Sequence, residues 1–106
     1  MVNTREKGRR IELEARKLLE ADGYLTEKKN ASRWQSDDFW EMFDILAIKS
    51  NDVRLIQIKS NRSDFYKSRK EIREWVDRYK IEGISFEVWL REPRKEWRKE
   101  IICLKQ

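Results

Sequence analysis

The chain has no histidine, a single cysteine, one proline and three glycines. Each shortage excludes something. Without histidine there is no Ser-His or Cys-His nucleophile and no imidazole acid or base. With only Cys103 there is no Cys/His zinc site either. Any metal held here must therefore take oxygen ligands, as Mg²⁺ or Mn²⁺ does. A lone cysteine makes no internal disulfide, which fits a reducing compartment, and a cytoplasmic location is expected. Long apolar runs are also missing. Ile45-Leu46-Ala47-Ile48 is as long as they become, against about 20 residues for a bilayer span. Residues 1–7 lead into mixed charge and carry no apolar segment of signal-peptide type. No membrane partner is expected, and nothing points to a small-molecule cofactor.

Charge is what the chain has most of. Charged residues make up 42% of it, with 25 Lys and Arg against 20 Asp and Glu, a formal excess of +5. A basic balance favours an anionic partner. Such a chain would stay unfolded if it had little to bury, but 39% is hydrophobic and five Trp are present, which argues for a packed core. At 106 residues, with no internal repeat, linker or low-complexity tract, a single domain over 1–106 is expected.

The first segment reads as a helix from about Thr4 to Asp22, with Ile11, Ala15, Leu18, Leu19 and Asp22 within one stripe and Gly23 as its C-terminal cap. Tyr24 to Lys29 can form a short edge strand. Asn30 to Asp38 is polar and turn-like, although Trp34, Phe39 and Trp40 give it something to bury. Phe43–Lys49 and Val53–Lys59 are the strong strands, β-branched and apolar on both faces, joined by Ser50-Asn51-Asp52. Ser63 can cap a second helix that runs to about Lys80, with Phe65, Arg69, Ile72, Val76 and Tyr79 at helical spacing. Strands at Ile84–Leu90 and Trp97–Leu104 follow, turned about Pro93. The expected class is α/β: a small mixed sheet of about five strands flanked by two helices, in the order αβββαββ.

Folding the first hairpin about Asn51-Asp52 places Asp44 across from Lys59, with Gln57 two residues back on the same face. Strand interiors rarely combine Asp, Gln and Lys, because each costs free energy to bury unpaired. One reading is a chemical site. The other is a cross-strand Asp44–Lys59 ion pair at strand ends that reach water.

Asp44 followed thirteen residues later by Gln57-Ile58-Lys59 resembles the Asp…(Glu/Asp/Gln)-x-Lys signature of the PD-(D/E)XK nuclease superfamily. Lys7-Gly8-Arg9-Arg10-Ile11-Glu12-Leu13-Glu14, with Leu18-Leu19-Glu20 and Gly23-Tyr24, resembles the opening helix of archaeal Holliday junction resolvases. The likeness covers roughly residues 5 to 62. It implies a restriction-endonuclease-like fold and a metal-dependent endodeoxyribonuclease acting in DNA repair, recombination or mobile-element processing. On this resemblance Asp44 anchors a Mg²⁺ or Mn²⁺ ion, Gln57 supplies a second side-chain oxygen and the Ile58 carbonyl a backbone oxygen. Lys59 would orient or activate the attacking water, and Glu12 would complete the site. Helical periodicity does not choose between Glu12 and Glu14; only the resemblance selects Glu12.

The sequence departs from the family pattern in two places. Phe43 stands where the family name has Pro, and Gln57 replaces the acidic ligand. The second leaves the site one negative charge short and weakens Mg²⁺ binding, so a non-catalytic nucleic-acid-binding module of the same fold is the alternative.

Phosphate contacts come mostly from Lys, Arg, small polar side chains and backbone N–H groups. Lys7, Arg9 and Arg10 at the helix start, and Lys29, Ser32 and Arg33 before the hairpin, are the candidates for holding DNA, branched or duplex. Lys67, Arg69, Lys70 and Arg73 make the second helix basic, and pairing with Glu71, Glu74 and Asp77 at i,i+4 is the plainer reading. The resemblance also implies a homodimer, with one active site per subunit on a two-fold substrate. Trp75, Trp89 and Trp97 are interface candidates, because a domain this small struggles to bury five Trp.

Overall fold

The computed structural model describes residues 4–28, 40 and 42–102. The elements follow as α1 (Thr4–Ala21), β1 (Leu25–Lys28), β2 (Ile45–Lys49), β3 (Asp52–Lys59), α2 (Arg62–Tyr79), β4 (Ser85–Leu90) and β5 (Arg98–Ile102). The strands form one open sheet in the order β1-β2-β3-β4-β5. All neighbours are antiparallel except β3 and β4, which run parallel across the α2 crossover. The chain is thus an α/β domain with a mixed five-stranded sheet and two helices, in the expected order of elements.

Strand alternation divides the core in two. On one face Leu55, Phe86, Val88 and Leu90 meet Phe65, Ile72 and Val76 of α2. On the other, Ile45, Ala47, Ile56 and Trp89 meet Ala15 and Leu19 of α1. Burying a side chain such as Phe65 or Ile72 contributes about 1.5–3 kcal/mol, so each helix is held by its stripe. The α1 stripe is narrower than the sequence suggests: Leu18 is 43% exposed. Trp89, expected as an interface candidate, is instead 1% exposed and fully in the core.

Helix α1 ends as expected. Gly23 takes φ 94°, Tyr24 N–H reaches the Leu19 carbonyl at 3.0 Å and Gly23 N–H the Glu20 carbonyl at 3.0 Å, the paired bonds of a Schellman motif. Helix α2 begins differently. Its cap is Asn61, whose side chain accepts from Asp64 N–H at 2.9 Å, and Ser63 lies inside the helix. Arg69 does not pair along the helix but reaches Glu100 on β5 at 3.0 Å.

The β2–β3 hairpin also corrects the expected register. Lys49 pairs with Asp52 and Ile45 with Ile56, so the turn is Ser50-Asn51, with Asn51 at φ 60°. The slide is two residues, so Lys59 is not the cross-strand partner of Asp44. Asp44 itself interrupts the ladder. Its N–H donates to the Ile56 carbonyl at 2.9 Å, although Ile56 is already the partner of Ile45. Two residues against one is the count of a β-bulge. It explains why Phe43 joins the α2-side cluster and Ile45, two residues on, the α1-side one.

Candidate active site

Strand β3 runs on past the start of β2. Ile56 is its last residue in that ladder, while Gln57, Ile58 and Lys59 stay paired to β4 through Val88, Trp89 and Leu90. The place β2 would have filled is taken by the Asp44 side chain, whose Oδ2 accepts Ile58 N–H at 2.7 Å. A strand residue's N–H and C=O point the same way, so the Ile58 carbonyl is also directed to this vacated side. The bulge re-aims Asp44 into the gap, a common use of bulges beside functional sites.

A cleft of about 270 Å³ opens at this strand end, and Glu12, Asp44, Gln57, Ile58 and Lys59 all line it, with Gly8 at the α1 wall. Asp44 and Gln57 are buried, 8% and 5% exposed. Lys59 is half-buried, and among the described residues its side chain has no ion pair or hydrogen bond. Its carbonyl is fixed by Arg91 N–H at 2.9 Å. The chemistry of the cleft is therefore two carboxylates, two neutral oxygens and one ammonium on a central strand.

Glu12 and Glu14, which periodicity leaves equivalent, have different surroundings. Glu12 lies in the cleft and pairs with Lys28 of β1 at 3.4 Å. Glu14 faces the other way, paired with Arg91 at 3.3 Å and accepting from Trp97 Nε1 at 3.2 Å. Sequence reasoning did not anticipate the Lys28–Glu12 pair, and no local pattern signals it. It depends on the edge position of β1, which brings residue 28 beside α1.

Lys7 and Arg10 line a neighbouring cleft, and Arg9 is exposed on α1. Lys29, Ser32 and Arg33 lie outside the described residues, as do Trp34 and the Asp37-Asp38-Phe39 segment. Trp40 is 62% exposed, with its ring 6.0 Å from that of Trp75 on α2. Among the described residues no three His, Cys, Asp or Glu come together as a metal-binding group. A cation in the cleft would rest on Asp44 and Glu12 with Gln57 and the Ile58 carbonyl. Among the described residues no helix is long and apolar enough to cross a membrane. No family model matches the chain, and no curated protein matches it at a significant level.

Proposed function

We propose that the chain is a divalent-metal-dependent endodeoxyribonuclease of the PD-(D/E)XK type, built like the archaeal Holliday junction resolvases it resembles. The observation that carries this reading is the convergence of Glu12, Asp44, Gln57, Ile58 and Lys59 on one cleft at the end of β3. The donor set suits the metal. Mg²⁺ is commonly held by one or two carboxylates, keeps several waters and takes further oxygens from substrate phosphates. Asp44 and Glu12 provide the carboxylates, and Gln57 and the Ile58 carbonyl provide neutral oxygens; Mn²⁺ fits the same set. Bound there, the cation would polarise a phosphoryl oxygen and lower the pKa of a water beside it.

The protein's own contribution is placement and charge. Lys59 brings an ammonium, without an ion-pair partner among the described residues, to where negative charge grows on the phosphate. It can donate to a phosphoryl oxygen or hold the attacking water in line. Asp44, tied to Ile58 N–H, is fixed in orientation by the backbone, which is what a ligand needs to act without reorganising. Pairing of two chains on a two-fold substrate belongs to the same proposal, and a monomeric mass by sedimentation with and without DNA would remove that part.

The test is cleavage of labelled four-way junction, single-stranded and duplex DNA with Mg²⁺, Mn²⁺ or EDTA, beside Asp44→Asn and Lys59→Ala. Metal-dependent cutting lost in both variants is expected. Binding without cutting on every substrate would favour the second reading, a non-catalytic DNA-binding module. Two features support that reading: the neutral Gln57, and the Lys28 ammonium beside Glu12. Gln57→Glu separates the two, because cutting gained only in that variant identifies a site that has lost its acid.

A further inference from the structure

The turn between β4 and β5 faces the first turns of α1 across a second cleft of about 250 Å³. Lys7 and Arg10 lie on one wall, Arg91 and Arg94 on the other, with Glu14 and Glu92 as its acids. The acids are already engaged. Glu14 pairs with Arg91 at 3.3 Å, and Glu92 with Arg62 at 3.2 Å and Lys95 at 3.9 Å. Arg91 is further fixed by donating to the Lys95 carbonyl and by lying over the Trp97 ring, 5.7 Å from its centroid. Lys7, Arg10 and Arg94 are different: among the described residues none has an ion pair or hydrogen bond.

Three cations without an ion pair among the described residues share one concavity and repel one another, while the two acids that line it, Glu14 and Glu92, are engaged by Arg91, Arg62 and Lys95. Arg94 adds a local cost. It sits at φ 61°, a left-handed conformation that disfavours residues other than Gly and Asn. Backbone geometry therefore does not account for an arginine there. Ile11 lines both this cleft and the one holding Asp44 and Lys59, so the two are neighbours along α1.

We propose that the Lys7–Arg10–Arg94 cleft is a phosphate subsite, which holds the sugar-phosphate backbone of the same nucleic-acid strand whose reacting phosphate lies at Lys59. The β4–β5 turn is then the second jaw of the substrate channel, with α1 as the first. The identity of the ligand rests on the nucleic-acid reading above, but not on catalysis. The subsite positions; it carries no base recognition, since phosphate contacts fix register without reading sequence.

The experiment is fluorescence anisotropy of labelled single-stranded and duplex DNA in EDTA, where no cleavage enters, over a range of salt concentrations. Wild type is compared with Lys7→Gln, Arg94→Asn and the double variant. Asn tolerates the left-handed backbone at position 94, so the charge is removed without new strain. Lys70→Gln, on the exposed surface of α2, controls for net charge, and circular dichroism checks the fold.

Affinity is expected to fall roughly tenfold or more in the double variant, equally for all sequences, and the log–log salt slope to flatten by about 1.4 on single strands or about 1.8 on duplex. Wild-type affinity and slope in the double variant, or an equal loss in Lys70→Gln, overturns the subsite. So does a wild type that binds no DNA, or one whose cleft is saturated by millimolar inorganic phosphate without any effect on DNA binding. A protein that binds in this way but never cuts keeps the subsite and loses the nuclease. One that cuts while the double variant binds normally does the reverse.

Discussion

Arg54 of β3 and Glu87 of β4 are diagonal neighbours across the parallel ladder, joined by two bonds of 2.6 Å, Nε to Oε2 and Nη2 to Oε1. Glu87 is 1% exposed and also accepts from Ser85 Oγ at 2.9 Å and Trp89 Nε1 at 3.0 Å. Burial by itself pushes its pKa up, but the hydrogen bonds from Arg54 and Trp89, with the guanidinium charge, outweigh it and hold the carboxyl below its ordinary value. Arg54 is shifted the other way, upward, first by its bonds to Glu87 and against the opposing effect of burial.

Removing one partner of such a pair leaves a buried charge uncompensated. Glu87→Ala should destabilise the domain by about 3–5 kcal/mol, and Arg54→Met with Glu87→Leu should recover much of that. The pH dependence follows from the depressed carboxyl. Glu87 stabilises the fold fully above its ordinary pKa of 4.5 and loses that contribution as pH falls through its folded value. The stability gap between wild type and Glu87→Gln, read from denaturant midpoints, should narrow below pH 4.5. A gap constant down to pH 3 would contradict the assignment.

Asp44 serves both the backbone and the proposed chemistry, and two variants separate the roles. In Asp44→Asn the amide oxygen can still accept Ile58 N–H, so stability should change by less than about 1 kcal/mol. Asp44→Ala leaves that N–H unsatisfied and should cost about 1–3 kcal/mol. Both should abolish cutting. Equal stability of the two variants would show that the 2.7 Å bond contributes nothing.

Lys28 holds the carboxylate that a cation would need. Lys28→Gln removes the competing ammonium from Glu12 and should lower the Mg²⁺ concentration for half-maximal activity several-fold. Gln57→Glu should lower it further, by adding a negative ligand. Isothermal titration with Mn²⁺ gives the same comparison without turnover. No change in either variant would place the metal elsewhere.

Gly8 lies within α1, and nothing comes within 4 Å of where a Cβ would stand. Packing gives no reason for glycine, which costs a helix interior about 0.5–1 kcal/mol relative to alanine. Gly8→Ala should therefore raise the thermal midpoint. Gly8 lines the Asp44 cleft, so the same methyl should weaken DNA binding if the strand passes there. A gain in stability with unchanged affinity would leave the glycine without a function.

The order of elements was readable because each announces itself locally: period 3.6 in the two helices, β-branched runs at 45–49 and 53–59, and Gly23 at a helix end. The register was not. A slip of two residues keeps every side chain on its own face, so the apolar pattern of the hairpin could not tell Ser50-Asn51 from Asn51-Asp52 as the turn. Asn61 and Ser63 are both competent caps, and only the backbone geometry selects Asn61. The buried Glu87 had no local signal, since its partner is 33 residues away on a strand whose parallel pairing sequence alone did not assign. The same pairing brings Arg91 beside Lys59, which is why the β4–β5 turn could not be placed near the cleft in advance. Asp44, Gln57 and Lys59 were singled out because polar residues are conspicuous in apolar strands; the bulge that aims Asp44 was not visible.

Strand β3 lies in the middle of the sheet, with β2 on one side and β4 on the other. Helix α1 is secured to the same sheet through a short stripe centred on Ala15 and Leu19. Gln57 and Lys59 thus ride on a central strand paired on both sides. Glu12 and Lys7 ride on a helix held by side-chain contacts alone, so α1 is expected to open before β3 in amide exchange. In that partly opened form the cleft has lost a wall and a carboxylate. A ligand that bridges the two is therefore expected to slow amide exchange in α1 more than in β3, because its binding favours the form in which the helix is closed on the sheet.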